Sequence, residues 1–171
     1  MKKEYRKNVG LAIMKNGLFF AGFRADVPQF ATTGWQIPQG GIEANEDVLT
    51  AGYRELFEET GITKDKVKFT AQMPYSIKYD FTAEVIERMK QKNKVIGYKG
   101  AFYKGQEQFW LVFEFIGDKN DVDLKATNEP QEFSKWEWKS ADFLLKNVID
   151  FKRNVYEKLF AWMKSEKLIK N

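Results

Sequence analysis

Three glutamates, Glu55, Glu58 and Glu59, stand together in the segment Arg54-Glu55-Leu56-Phe57-Glu58-Glu59. At about 100° per residue on a helix they share one arc of roughly 100°, and Leu49, Tyr53 and Leu56 share an arc of similar width roughly opposite. One face can therefore pack on a core while the other gathers carboxylates. Like charges at these spacings repel, at a few tenths of a kcal/mol per pair. Arg54 offsets part of that repulsion. A divalent cation offsets far more, because carboxylate oxygens are its preferred ligands. The preceding turn, Pro38-Gln39-Gly40-Gly41, can bring backbone carbonyls close to the same ion. Taken alone, an E-x-x-E-E cluster also fits a solvated acidic helix face.

The rest of the composition narrows the chemistry. The chain of 171 residues has no cysteine and no histidine. Disulfides, thiol nucleophiles, thiolate zinc sites, Ser-His-Asp triads and imidazole bases are all excluded. Hydrolysis must then rest on carboxylates, Lys, Tyr or hydroxyls, with a hard metal on oxygen ligands as the natural electrophile. Lys and Arg total 28 against 24 Asp and Glu. This surplus suits either an ordinary solvated surface or attraction to a polyanion. The charged start, Met1 to Lys7, has no apolar h-region, and Val9 to Met14 is too short to span a membrane, so a cytoplasmic protein is expected.

The elements that must position the glutamates are legible from pattern. Asn8 to Met14 and Leu18 to Arg24 read as strands around Lys15-Asn16-Gly17, a hairpin turn signal. Ala25 to Thr33 reads as a loop. Trp35 to Ile42 reads as a short strand entering a tight turn. Ala44 to Thr60 reads as a helix stopped by Gly61. Val67 to Phe81 is rich in β-formers, Thr82 to Lys92 suits a short helix, and Asn93 to Gly105 reads as loop. Gln108 to Ile116 is nearly all apolar and suits a central strand. A polar connection, Gly117 to Pro130, leads to a strand at Phe133 to Trp138. Ala141 to Val148 and Phe151 to Ile169 read as helices. The pattern predicts a mixed sheet covered by helices in one domain spanning 1–171.

The spacing of Gly40, Glu46, Arg54, Glu55, Leu56, Glu58, Glu59, Gly61 and Ile62 resembles the Nudix box at all nine specified positions. Chance agreement is on the order of one in 10⁸ per starting position. The resemblance implies an α/β class fold, the Nudix α/β/α sandwich with a mixed sheet. It also implies Mg²⁺- or Mn²⁺-assisted hydrolysis of a nucleoside diphosphate linked to another moiety. By matching positions, Glu55, Glu58 and Glu59 look like metal ligands, with Gly40 adding a carbonyl. One glutamate, most often the second of the Glu-Glu pair, doubles as base in the family. Glu46 and Arg54 look like the ion pair that orients Glu55.

Segments outside the box, among them Trp35 to Gly41, Gly105 to Trp110, Glu132 to Trp138 and Phe151 to Tyr156, resemble the bacterial RNA pyrophosphohydrolases over nearly the whole chain. That subfamily removes pyrophosphate from 5′-triphosphorylated RNA and also cleaves dinucleoside polyphosphates, so both substrates stand open. No membrane or DNA partner is expected, and oligomeric state is not legible. The resemblance makes Glu132 a further carboxylate at the metal. It turns Arg6, Arg24, Gln106 and Lys152 toward phosphate or the first nucleotides, stacks Phe151 on a base, and lines the same cleft with Tyr79. For each basic residue a solvated surface role is the competing reading, and for Phe151 it is a core position. The chain departs from the subfamily at Lys7, where Pro is usual, and at Glu107, where a basic residue is usual. Its loop Ala25 to Thr33 is longer, and Pro130-Gln131-Glu132 replaces Pro-Glu. A third reading, a non-catalytic Nudix-fold binding module, is disfavoured because such modules usually lose box carboxylates.

Overall fold

The computed structural model describes residues 4–95, 103–128 and 130–170. The chain runs through β1 (Tyr5–Lys15), β2 (Leu18–Arg24), β3 (Trp35–Gln36), β4 (Gln39–Gly41), α1 (Val48–Thr60), β5 (Val67–Gln72), β6 (Ile77–Asp80), α2 (Ala83–Val95), β7 (Gly105–Phe115), β8 (Phe133–Lys139), α3 (Ala141–Asn147) and α4 (Asp150–Ser165). Asn16 and Gly17 both take positive φ, 52° and 78°, the backbone a tight two-residue hairpin requires. They close β1 on β2.

The sheet is mixed. Its order is β3-β2-β1-β7-β5, with β4 on β1, β6 on β7 and β8 on β2. β1 and β7 pair in parallel from Tyr5↔Gly105 to Met14↔Glu114, and the remaining pairings are antiparallel. Alternation along β7 sends Trp110 and Val112 to one core and Leu111, Phe113 and Phe115 to the other. The first core is completed by α3 and α4 through Leu144, Val155, Tyr156 and Leu159. The second is completed by α1 through Ala51 and Leu56. Burial on both faces is why β7 reads as a continuous apolar run. The layering is the expected α/β/α sandwich. Among the described residues no helix is long and apolar enough to cross a membrane.

Several boundaries differ from the sequence expectation; β1 and β7 begin earlier, at Tyr5 and Gly105, which puts Arg6 and Gln106 on paired strands. α1 begins at Val48 rather than Ala44, because Asn45 has φ of 68° and Asp47 caps the helix by accepting from the Leu49 and Thr50 amides. Glu46 thus lies in the loop before the helix. α4 ends at Ser165 rather than Ile169. Lys167 turns left-handed, and the Leu168 amide donates back to the Met163 carbonyl at 2.8 Å, so Leu168 and Ile169 fold onto the first core. α2 extends to Val95, and residues 96–102 of the expected loop lie outside the described residues.

Close packing between the two central strands has a direct test. Gly10 neighbours Trp110 across the parallel ladder, and a β-carbon at Gly10 would sit 2.5 Å from the indole ring. Gly10→Ala is expected to cost about 1–3 kcal/mol by overpacking, measured by urea unfolding.

Candidate active site

Arg54 organises the acidic face of α1. Its Nε donates to Glu46 Oε1 at 2.9 Å and its Nη2 to Glu46 Oε2 at 2.8 Å. Nη2 also reaches the Gly41 carbonyl at 2.7 Å, and Nη1 donates to Glu55 at 2.8 Å and Glu58 at 3.0 Å. The pairing with Glu46 is the two-pronged geometry a guanidinium provides. It holds the Glu46 carboxyl below its usual pKa and raises that of Arg54 itself.

Contrary to the simple two-faced helix, the carboxylate face is partly packed. Glu55 is only 8% exposed, and its carboxylate lies so close over Gly40 that no side chain would fit there. Burial raises its pKa, with Arg54 opposing. Glu59 accepts from the Gln39 amide at 3.0 Å and has no ion pair among the described residues. Burial, then repulsion from Glu132 and Glu55, pushes its carboxyl well above the ordinary carboxylate range. Glu132 binds Arg24 Nη1 at 2.6 Å. The acidic residues are thus neighbours, yet among the described residues no three His, Cys, Asp or Glu side chains converge on one point as a ready cation cage. Glu55 and Glu58 are turned onto Arg54, and Glu132 onto Arg24. The all-oxygen donor set, the Gly40 backbone beneath Glu55 and the unrelieved charge at Glu59 together suit a hard divalent cation.

The expected substrate residues gather beside this face. Arg6, Gln106 and Tyr79 stand in one row across β1, β7 and β6, and the Tyr79 hydroxyl donates to Gln106 Oε1. The Arg6 guanidinium lies against Gly41. Phe151, in the first turn of α4, packs on Tyr79 with ring centroids 6.0 Å apart. Arg24 is committed to Asp26 and Glu132, which ties the 25–33 loop to the site. Lys152 is not a solvated surface residue. It is 7% exposed, and its Nζ donates to Gln36 Oε1 at 3.0 Å. Glu107 points away from the Gln106 row and accepts from Ser76 Oγ at 2.8 Å, so its sign does not bear on the cleft.

Sequence reading missed the amides that join these parts. Gln108 donates to Asn8 at 2.7 Å and to Gln39 at 2.8 Å, and the Ile37 amide donates to the Tyr156 hydroxyl at 2.8 Å. Gln36 is 3% exposed and its Nε2 has no partner among the described residues. The available signal was the placement of Gln36, Gln106 and Gln108 within otherwise apolar strands, where a buried amide needs a reason.

Comparison with known proteins fits this geometry. Residues 4–159 match the NUDIX domain. An RNA pyrophosphohydrolase of Dinoroseobacter shibae is 42% identical over 91% of this chain and 89% of its own length. Nudix hydrolase 26, chloroplastic, of Arabidopsis thaliana is 36% identical over 92% of this chain and 68% of its own length. The fold is also that of a dihydroneopterin triphosphate pyrophosphohydrolase of E. coli, with TM-score 0.63 and 16% identity over 91% of this chain and 97% of that one. A C. elegans Ap4A hydrolase complex gives TM-score 0.59 and 18% identity, over 94% and 98%. The chain belongs to the Nudix family, whose hydrolases act on pyrophosphate bonds and generally use divalent cations.

Lys152 supplies a pH test. Burial, reinforced by the charge of Arg24, pulls its pKa from 10.5 to about 8. Between these values the unfolded chain binds more protons than the folded protein, so this residue makes stability rise with pH across that window, by about 3 kcal/mol. Below pH 8 its cost is fully present. In Lys152→Met this part of the rise is expected to vanish in urea unfolding between pH 7 and 10.5. An unchanged slope would mean that the ammonium is solvated.

Proposed function

We propose that this Nudix hydrolase is an RNA 5′-pyrophosphohydrolase, with residues 1–171 working as one Nudix domain in the cytoplasm. It converts 5′-triphosphorylated RNA and water to 5′-monophosphorylated RNA and pyrophosphate, leaving an end that promotes message decay. The observation that carries this reading is one juxtaposition. Across Gln39, the carboxylate face of α1 meets a face bearing Arg6, Gln106, Tyr79 and Phe151. Carboxylates suit polyphosphate hydrolysis, whereas cations and aromatic rings suit a nucleotide strand. The relatives named RNA pyrophosphohydrolase, similar over nearly the whole length, support the same substrate.

In this reading Glu55, Glu58, Glu59 and Glu132, with the Gly40 carbonyl, would hold Mg²⁺, and Mn²⁺ would serve in its place. When bound, the cation neutralises polyphosphate charge and makes bound water more acidic. Glu59 takes the proton from the attacking water. Water oxygen attacks the α-phosphorus, the bond to the bridging oxygen breaks, and pyrophosphate leaves. Arg54 keeps Glu55 and Glu58 oriented through the turnover. Arg6, Arg24 and Lys152 supply positive charge around the phosphates, and Tyr79 and Phe151 face the base.

Two experiments test this. Glu58→Gln and Glu59→Gln are each expected to lower kcat by about 10²–10⁴-fold without a large fall in unfolding midpoint, and Glu59→Gln to raise it, since neutralising Glu59 relieves repulsion. Unchanged turnover in both would remove the catalytic assignment. On substrate, kcat/KM for triphosphorylated RNA is expected to exceed that for diadenosine tetraphosphate, in Mg²⁺ and in Mn²⁺. A large preference for the dinucleotide would overturn the RNA reading.

A further inference from the structure

Beyond the Phe151–Tyr79 pair, the space between α4 and β6 opens into a cavity of about 560 Å³. Ile77 and the buried Trp162 form its floor, and Tyr75, Lys78 and Lys158 stand around it. Its lining holds two lysines and no carboxylate. Tyr75 is 53% exposed, and Lys78 lies 3.7 Å from Glu107 and 5.5 Å from the centre of the Tyr5 ring. None of these residues belongs to the site described above.

We propose that this cavity is a subsite for the RNA strand downstream of its 5′-terminal nucleotides. The proposal rests on the RNA reading of the same site. Its position follows from α4, which carries Phe151 at its start and Lys158 and Trp162 further along. At 1.5 Å per residue these lie about 10 and 16 Å from Phe151. A strand stacked at about 3.4 Å per nucleotide covers that distance in roughly three to five nucleotides. Its chemistry follows from the lining. An exposed aromatic face accepts any base by stacking, and flanking cations meet the phosphodiester backbone. An acidic peptide would gain from the lysines but would leave the tyrosine ring without its flat partner. Recognition of this kind is tolerant of sequence, so it adds affinity for chain length rather than for a particular base.

The test is fluorescence anisotropy with 5′-monophosphorylated single-stranded RNA of two and of eight nucleotides, in Mg²⁺. These products lack the cleavable triphosphate. The proteins are wild type, Tyr75→Ala, Lys158→Glu and, as a charge control on the same helix, Lys164→Glu. The longer RNA is expected to bind wild type at least about fivefold more tightly. That gain is expected to disappear in Tyr75→Ala and Lys158→Glu and to persist in Lys164→Glu. Equal affinity for both lengths in wild type overturns the proposal. So does a gain that survives Tyr75→Ala and Lys158→Glu, or one that Lys164→Glu removes equally. Diadenosine tetraphosphate hydrolysis at the wild-type rate shows that the variants are folded. Length-dependent binding through Tyr75 and Lys158, in an enzyme that releases no pyrophosphate from triphosphorylated RNA, would leave the subsite standing and overturn the proposed activity.

Discussion

The arrangement of the acidic site depends on one guanidinium. Arg54 donates to Glu46 in the loop before α1, to Glu55 and Glu58 on α1, and to the Gly41 carbonyl on β4. Without a group of this shape, the carboxylates would spread to relieve their repulsion and the Pro38–Gly41 turn would lose a link to the helix. A lysine carries the same charge, but as a single point that cannot reach four acceptors in a plane. The ion pair with Glu46 is only partly buried. Its contribution to overall stability is therefore modest, while its effect on where the glutamates point is large.

Around this clamp the protein tolerates charge that a stability-optimised core would not contain. Glu59 is pressed among carboxylates with one backbone amide for relief, and Lys152 is buried with a single amide acceptor. Each arrangement costs folding free energy, because burial disfavours the charged form of both. The two large apolar cores on either face of the sheet supply the compensation. That division explains why the strained groups cluster at one end of the strands, where β1, β4, β6 and β7 meet, and not in the middle of either core.

Much of this was legible in the sequence, for identifiable reasons. The Asn16-Gly17 hairpin, the β7 run and the helix stop at Gly61 are local signals, and each was found where its chemistry requires. Box spacing is also local, so Glu55, Glu58 and Glu59 could be assigned to one helical face. What was not legible depends on contacts far apart in the chain. The start of α1 was misplaced because Asn45 and Asp47 override a continuing helical pattern. For Lys152 the pattern of α4 leaves a phosphate-facing role and a solvated surface role both open, and its burial depends on Gln36, 116 positions away. Nothing in the helix pattern of α1 shows that Glu55 would lie over Gly40.

The same long-range contacts explain why the box identifies the chemistry while leaving the substrate open. The glutamates belong to α1, which is anchored in the core on one face of the sheet. Tyr79 and Phe151, which face the nucleotide in the RNA reading, border the other face, where α4 packs. The two sets meet through Gln39. Its amide donates to Glu59, and its side chain bonds to Gln108 and lies 3.5 Å from Gln106. A change on α4 or β6 acts on what can bind from the face of the sheet opposite α1, and the two sides share the β4 strand on β1 and the central strand β7. A change on α1 alters the hydrolysis of whatever is bound. In the RNA reading, substrate range can in this way vary across a family whose acidic helix stays the same, with the groups that meet the nucleotide carried by β1, β6, β7 and α4 rather than by the box.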